Sequence, residues 1–212
     1  MLVQFVSFLS LAASQAQALT TPAQAATSLG YLKATSDGKV IGYISKTLNA
    51  NGEFEGVSPD KDSNDVAHRM LVSIDQSVTG PQSLVVENLA AADADWPFLG
   101  GIGGVNGTTI GSAGNYLLIG GTTQTLPGNP ALRCGNTFTD RTGEQRNCAS
   151  AFWVYNATTS AVTPQWTNDD GSVVVGDIGF VNEAFIITGG IEQFEAVWED
   201  KVEWLNLTLQ TS

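Results

Sequence analysis

The sequence holds one histidine, two cysteines, two methionines and nine basic residues among 212. With only His68, zinc sites built from several imidazoles are excluded. A Ser-His-Asp triad would have this one base to draw on, and no G-x-S-x-G elbow is present to carry its serine. Beside Arg69 at the start of a β-rich run, His68 reads as an edge residue. Charged residues are scarce, at 14% against about 25% in an average soluble protein. That composition excludes a coiled coil and a disordered acidic tail. Basic residues are the rarer sign: 9 Lys+Arg face 21 Asp+Glu, for a net charge of −12. Such a surface repels nucleic acid and anionic membranes. Beyond the N-terminal region, no run is apolar enough to anchor in a bilayer.

What is present is 42% hydrophobic residues and 23 glycines, enough for a packed core with many turns. Residues 2–13 are almost wholly apolar and precede Ala16-Gln17-Ala18. This is the pattern of a secretory signal peptide over residues 1–18. Residues 19–28 read as a loose N-terminal segment and residues 29–212 as a single domain. An extracellular location follows as an expectation. Cys134 and Cys148 are then expected to form a disulfide, worth about 3 kcal/mol for a loop of about 15 residues. Asn106, Asn156 and Asn206 each begin an N-x-T glycosylation acceptor.

The rest reads as strands and turns. Asp37-Gly38 between residues 29–34 and 39–47 marks a hairpin, and Asn51-Gly52 is a second turn of the same kind. Further strand candidates cover residues 69–74, 83–87, 116–119, 151–155, 162–166, 172–175, 184–188 and 202–209. Gly100-Gly101, Gly103-Gly104 and Gly120-Gly121 read as turns between them, and residues 191–200 as a short helix. The fold expected is an all-β antiparallel β-sandwich or jelly roll of about ten short strands. In the hairpin of residues 151–155 and 162–166, a symmetric register puts Trp153, Tyr155, Val162, Pro164 and Trp166 on one face. In the last strand, Leu205, Leu207 and Leu209 face the core, while Trp204, Asn206 and Thr208 face solvent.

No cofactor motif emerges. Residues 101–106 begin like a dinucleotide loop, but Asn106 stands at the sixth position and no strand–turn–helix surrounds it. They read as a glycine-rich loop. Asp60-Lys61-Asp62-Ser63-Asn64-Asp65 begins like a calcium loop, but Asp65 and Leu71 replace the required Gly and Glu. A solvated acidic turn and an irregular calcium loop both remain open there. Trp96, Trp153, Tyr155 and Trp166 are the candidate ligand-binding aromatics. Trp153 and Trp166 serve either as core or as a sugar-stacking platform. The only catalytic apparatus on offer is a carboxylate pair drawn from Asp177, Glu183, Glu192, Glu195, Glu199 and Glu203.

Three stretches carry a resemblance. They are Gly42-Tyr43-Ile44-Ser45 with Asn51-Gly52-Glu53-Phe54, residues 115–123, and residues 153–156 with 164–172. Together they resemble a group of small secreted proteins of basidiomycete fungi, over most of the mature chain. The resemblance implies a fungal, secreted, all-β protein and transfers no catalytic residue. Two functions fit these features. The first is a non-catalytic secreted protein that binds glycans or cell-wall polysaccharide. The alternative is a carboxylate-dependent, glycosidase-like hydrolase of such polymers.

Overall fold

The structure is a computed structural model that describes residues 27–58 and 63–211. The expected signal peptide, most of the 19–28 segment and Asp60-Lys61-Asp62 of the acidic loop lie outside the described residues. The first half of the chain forms β1 (Thr27–Ser36), β2 (Lys39–Ile44), β3 (Val57–Ser58), β4 (Leu71–Asp75), β5 (Gln82–Ser83), β6 (Val85–Val86), β7 (Phe98–Gly103) and β8 (Tyr116–Thr122). The second half forms β9 (Leu132–Arg133), α1 (Thr137–Thr142), β10 (Asn147–Ala149), β11 (Ala151–Asn156), β12 (Ala161–Thr167), β13 (Val173–Val175), β14 (Asp177–Val181), β15 (Ala184–Thr188), α2 (Ile191–Glu195) and β16 (Glu203–Thr211). Among the described residues every strand pairing is antiparallel, and the Cys134–Cys148 disulfide is formed across 5.7 Å between Cα atoms.

The β1–β2 hairpin turns on Asp37 and Gly38, both at positive φ (49° and 73°), as a two-residue turn of type I′ requires. From β1, hydrogen-bonded neighbours run through β4, β6, β7, β8, β15, β14 and β16. The path returns to β1 through Leu32↔Leu209 and Ala34↔Leu207. The result is a closed eight-stranded barrel, which corrects the expected sandwich or jelly roll. The physical reason lies in β1 and β16, of 10 and 9 residues. Each is long enough to pair with the other and still accept two strands along its free edge: β2 and β4 on β1, β12 and β14 on β16. Closure pairs each of the eight ring strands on both sides and leaves the open edges to strands outside the ring, such as β3 and β5.

Beside the ring, β12, β11 and β5 branch from β16. The β11–β12 register pairs Trp153 with Pro164 and Tyr155 with Val162, as the symmetric reading requires. Leu205, Leu207 and Leu209 are buried. The main core joins Leu32, Leu99, Ile119, Ile178, Phe185 and Leu207 from the barrel to Trp153 and Trp166 from the branch.

The glycine-rich stretches read as turns are instead wall strands. Gly100, Gly101 and Gly103 lie in β7, and Gly120 and Gly121 in β8. A Cβ on Gly101 would sit 2.8 Å from the Trp166 ring, and one on Gly100 would sit 2.2 Å from the Thr122 side chain. These glycines let large groups lie against the strand backbone.

A second, smaller cluster lies outside the main core, where α1, α2 and the disulfide cover the wall. It includes Ile102, Leu118, Phe138, Cys148, Ile186 and Phe194. α1 lies inside the disulfide-closed loop, where no helix is expected from the sequence. Its N-cap Asn136 accepts from the Thr139 amide at 2.8 Å, and Gly143 closes it at φ 75°, the ordinary signature of a capped helix. Among the described residues no helix is long and apolar enough to cross a membrane.

Candidate functional site

The wall between β8 and β15 is not continuous. Their register stops at Leu118↔Ile186. Beyond it, Glu53-Phe54-Glu55 fills the split: Glu53 bridges Gly120, and Glu55 bridges Ala184. The Phe54 amide donates to the Ile119 carbonyl at 2.9 Å, and the Phe185 amide donates to the Phe54 carbonyl at 3.4 Å. Side chains alternate across this inserted strand. Phe54 enters the main core, while Glu53 lines a cleft of about 270 Å³ on the outside.

The turn that delivers Glu53 is held from within. Asn49 Oδ1 accepts from the Asn51 and Glu53 amides at 2.9 and 3.0 Å. Asn49 Nδ2 donates to Glu53 Oε2 at 2.7 Å. Gly52 is at φ 83°, and a Cβ there would meet the Thr137 carbonyl oxygen at 2.4 Å. Only glycine fits this position. Thr137, on α1, donates its hydroxyl to the Gly52 carbonyl and accepts from the Gly121 amide at 3.0 Å. The disulfide-closed loop therefore clamps the Asn49–Glu53 turn to the barrel.

The opposite wall is aromatic. Tyr116 meets Phe194 and Trp198 edge-on, with centroids 5.8 and 5.4 Å apart. Trp198 Nε1 donates to the Gly114 carbonyl at 2.9 Å, which fixes the indole. Asn51, Asn182 and Asp200 are exposed at the rim, and the residue of Glu53 is only 8% exposed. The cleft thus sets a buried carboxylate and amide groups against two half-buried rings.

Burial pushes the Tyr116 phenol above its usual range, the Glu53 charge pushes it further, and Arg146 opposes them. A group whose folded-state pKa is raised stabilises the fold below its unfolded pKa, and that stability is lost as pH rises through the folded value. Tyr116 therefore contributes in full at neutral pH, and that contribution is lost progressively as pH rises from about 10 through its raised folded-state value. In alkaline titrations of the urea midpoint, Tyr116→Phe is expected to flatten the fall in stability that the native chain shows. An equally steep fall would assign the alkaline loss to other groups.

The sequence-selected aromatics are elsewhere. Trp153 and Trp166 are 0% and 1% exposed, and their indole N–H groups donate to the Leu99 and Thr108 carbonyls at 2.7 Å. Neither ring has a free face, so both are corrected from ligand-binding candidates to core. Tyr155 is buried in the same cluster. Trp96 is half-buried and packs against Gly121 and Gly135. None of the four lines the cleft. Trp204, expected to face solvent, is half-buried: it packs edge-on to Phe194 and donates to Glu195 Oε1 at 2.9 Å. Helix α2 abuts the ring, which remains part-exposed.

Asn106, Asn156 and Asn206 are exposed, as is His68. The six C-terminal carboxylates Asp177, Glu183, Glu192, Glu195, Glu199 and Glu203 are all exposed, and none lines the Glu53 cleft. Among the described residues no group of three or more His, Cys, Asp and Glu side chains gathers to hold a metal ion.

No known protein family, curated protein or solved structure matches the chain. The functional reading therefore rests on the cleft itself. Its residues come from four distant segments, and only small signals mark them in sequence. The Asn49-x-Asn51-Gly52-Glu53 run is a turn that projects a carboxylate. Phe194 and Val197-Trp198 recur at helical spacing in the short helix expected over residues 191–200; only Ile191–Glu195 is helical, and Trp198 lies beyond its end.

Proposed function

We propose that this chain is a secreted, non-catalytic barrel that binds glycans of a cell wall. The observation that carries the reading is the cleft formed by Glu53, Asn49, Asn51, Tyr116 and Trp198. A sugar ring offers an apolar C–H face and an edge of hydroxyls. Fixed indole and phenol rings match the face, while a carboxylate and primary amides match the hydroxyls in both donor and acceptor roles. The cleft is near the lower end of ligand-pocket sizes, which suits a sugar unit. The expected leader, the disulfide, three exposed N-glycan acceptors and the resemblance to small secreted fungal proteins agree with this setting.

The test is retention of the purified chain on insoluble wall polysaccharides, with tryptophan fluorescence titration against soluble fragments. The native chain is expected to be retained on at least one polymer. Trp198→Ala and Glu53→Gln are expected to weaken retention about tenfold or more, the scale of one buried polar or stacking contact. No retention on any polymer, or variants that bind as well as the native chain, would overturn the reading.

One observation favours the hydrolase as the second reading: Glu53, buried, and Asp200, exposed, line the same cleft. Two carboxylates in unlike surroundings are the apparatus of glycoside hydrolysis. Release of reducing ends from a retained polymer, lost in both Glu53→Gln and Asp200→Asn, would establish it over the non-catalytic reading.

A further inference from the structure

The Glu53 cleft does not end at its rim. A second cleft of about 590 Å³ adjoins it, lined by Asp37, Lys201, Glu203 and Trp204 among others. The two share Val181 and Asn182, at the β14–β15 turn, and the short segment from Trp198 to Trp204 supplies residues to both. Phe194 sets the spacing of the two indoles. It stacks on Trp198 at 6.1 Å and meets Trp204 edge-on at 5.9 Å. Both indole N–H groups are tied, to the Gly114 carbonyl and to Glu195. One aromatic unit therefore presents a ring to each cleft in a fixed relation, as a platform for successive units of one chain would require.

We propose that the two clefts form one groove for a linear polysaccharide, and that the polymer it selects is a cationic, amino-sugar chain. This rests on the glycan reading above and names its ligand class. The aromatic platforms are indifferent to the charge of the sugar; the groove lining is not. Asp37, Glu53, Asp200 and Glu203 face a single cation, Lys201, within a chain of net charge −12. A cleft lined by one sign of charge concentrates ligands of the other. A uronate polymer meets repulsion along this groove, a neutral polymer gains nothing from it, and an ammonium on successive sugars finds carboxylates in both clefts.

The experiment is a fluorescence titration of the full chain with three oligomer series of increasing length: glucosamine, N-acetylglucosamine and galacturonate, each at low and high salt. The glucosamine series is expected to bind tightest, to tighten with length, and to weaken with salt as screened charges do. Trp204→Ala is expected to cancel the advantage of long chains over short ones. The surface double variant Asp37→Asn/Glu203→Gln is expected to narrow the preference for glucosamine over its acetylated form about tenfold; it provides the test of charge selection should the Trp204 variant fail to fold. Monomer binding as tightly as long oligomers would overturn the continuous groove. Acetylated or galacturonate oligomers that bind as tightly as glucosamine would overturn the charge selection. Failure of all three series, together with no retention on any wall polymer, would overturn the glycan reading itself, and this proposal with it.

Discussion

Trp153→Ala is expected to lower the unfolding free energy by about 3–5 kcal/mol, the usual range for deleting a large buried aromatic. The residue is fully buried. Its ring tilts against Phe152 at 4.7 Å between centroids, and its N–H donates to the Leu99 carbonyl at 2.7 Å. Around it, Leu32, Ile119, Ile178 and Phe185 leave a void of only about 10 Å³, lined by apolar side chains alone and therefore dry. The barrel wall behind it is closed, so the strands cannot easily collapse into the vacated space. Loss of the indole donor adds a hydrogen-bond penalty of about 1–3 kcal/mol within that total. Trp153→Phe retains most of the volume and is expected to cost markedly less. Urea unfolding measures both. An Ala variant whose midpoint barely moves, with an unchanged denaturant slope, would show that Trp153 is not the centre of the core.

That Trp153 is core was one of two alternatives in the sequence, and the reason the alternatives stayed open is physical. Alternation fixes which residues share a face of β11 and β12. It does not say what covers the face. The paired register of Trp153 with Pro164 and Tyr155 with Val162 was legible because a hairpin is local. The alternation of Leu205, Leu207 and Leu209 was legible for the same reason, and so was the disulfide. Barrel closure was not, because β1 and β16 pair Leu32 with Leu209 across almost the whole described chain. No local pattern separates a strand that ends a sandwich from one that closes a ring. The glycines of β7 misled for a related reason. Glycine marks a turn when the backbone needs positive φ, and a close approach when a neighbour needs the space of a Cβ. Gly101 is the second kind, and the neighbour that needs the space, Trp166, lies 65 positions further along the sequence. The cleft was illegible in the same way. Glu53, Tyr116, Asn182 and Trp198 are unremarkable singly and acquire meaning only when the split between β8 and β15 brings them together.

Removing the disulfide is expected to damage the cleft as well as the fold. In the double variant Cys134→Ser/Cys148→Ser, the chain-entropy estimate for a loop of this size is a loss of about 3 kcal/mol, a large share of the 5–15 kcal/mol of a typical domain. The loop it frees carries α1, and α1 carries Thr137, whose hydroxyl joins the Gly52 carbonyl to the Gly121 amide. Release of the loop loosens the turn that delivers Glu53. Retention on a wall polymer is therefore expected to fall at temperatures where the variant remains folded, as near-ultraviolet circular dichroism would verify. Thr137→Val separates the two effects. It keeps the shape and the disulfide but removes the hydroxyl, so it is expected to cost about 1–3 kcal/mol and to weaken retention, while Thr137→Ser preserves both. If the cysteine variant, still folded, bound as tightly as the native chain, the disulfide would be a staple for the fold alone. If Thr137→Ser failed to rescue what Thr137→Val lost, the hydroxyl would not be the link between the staple and the site.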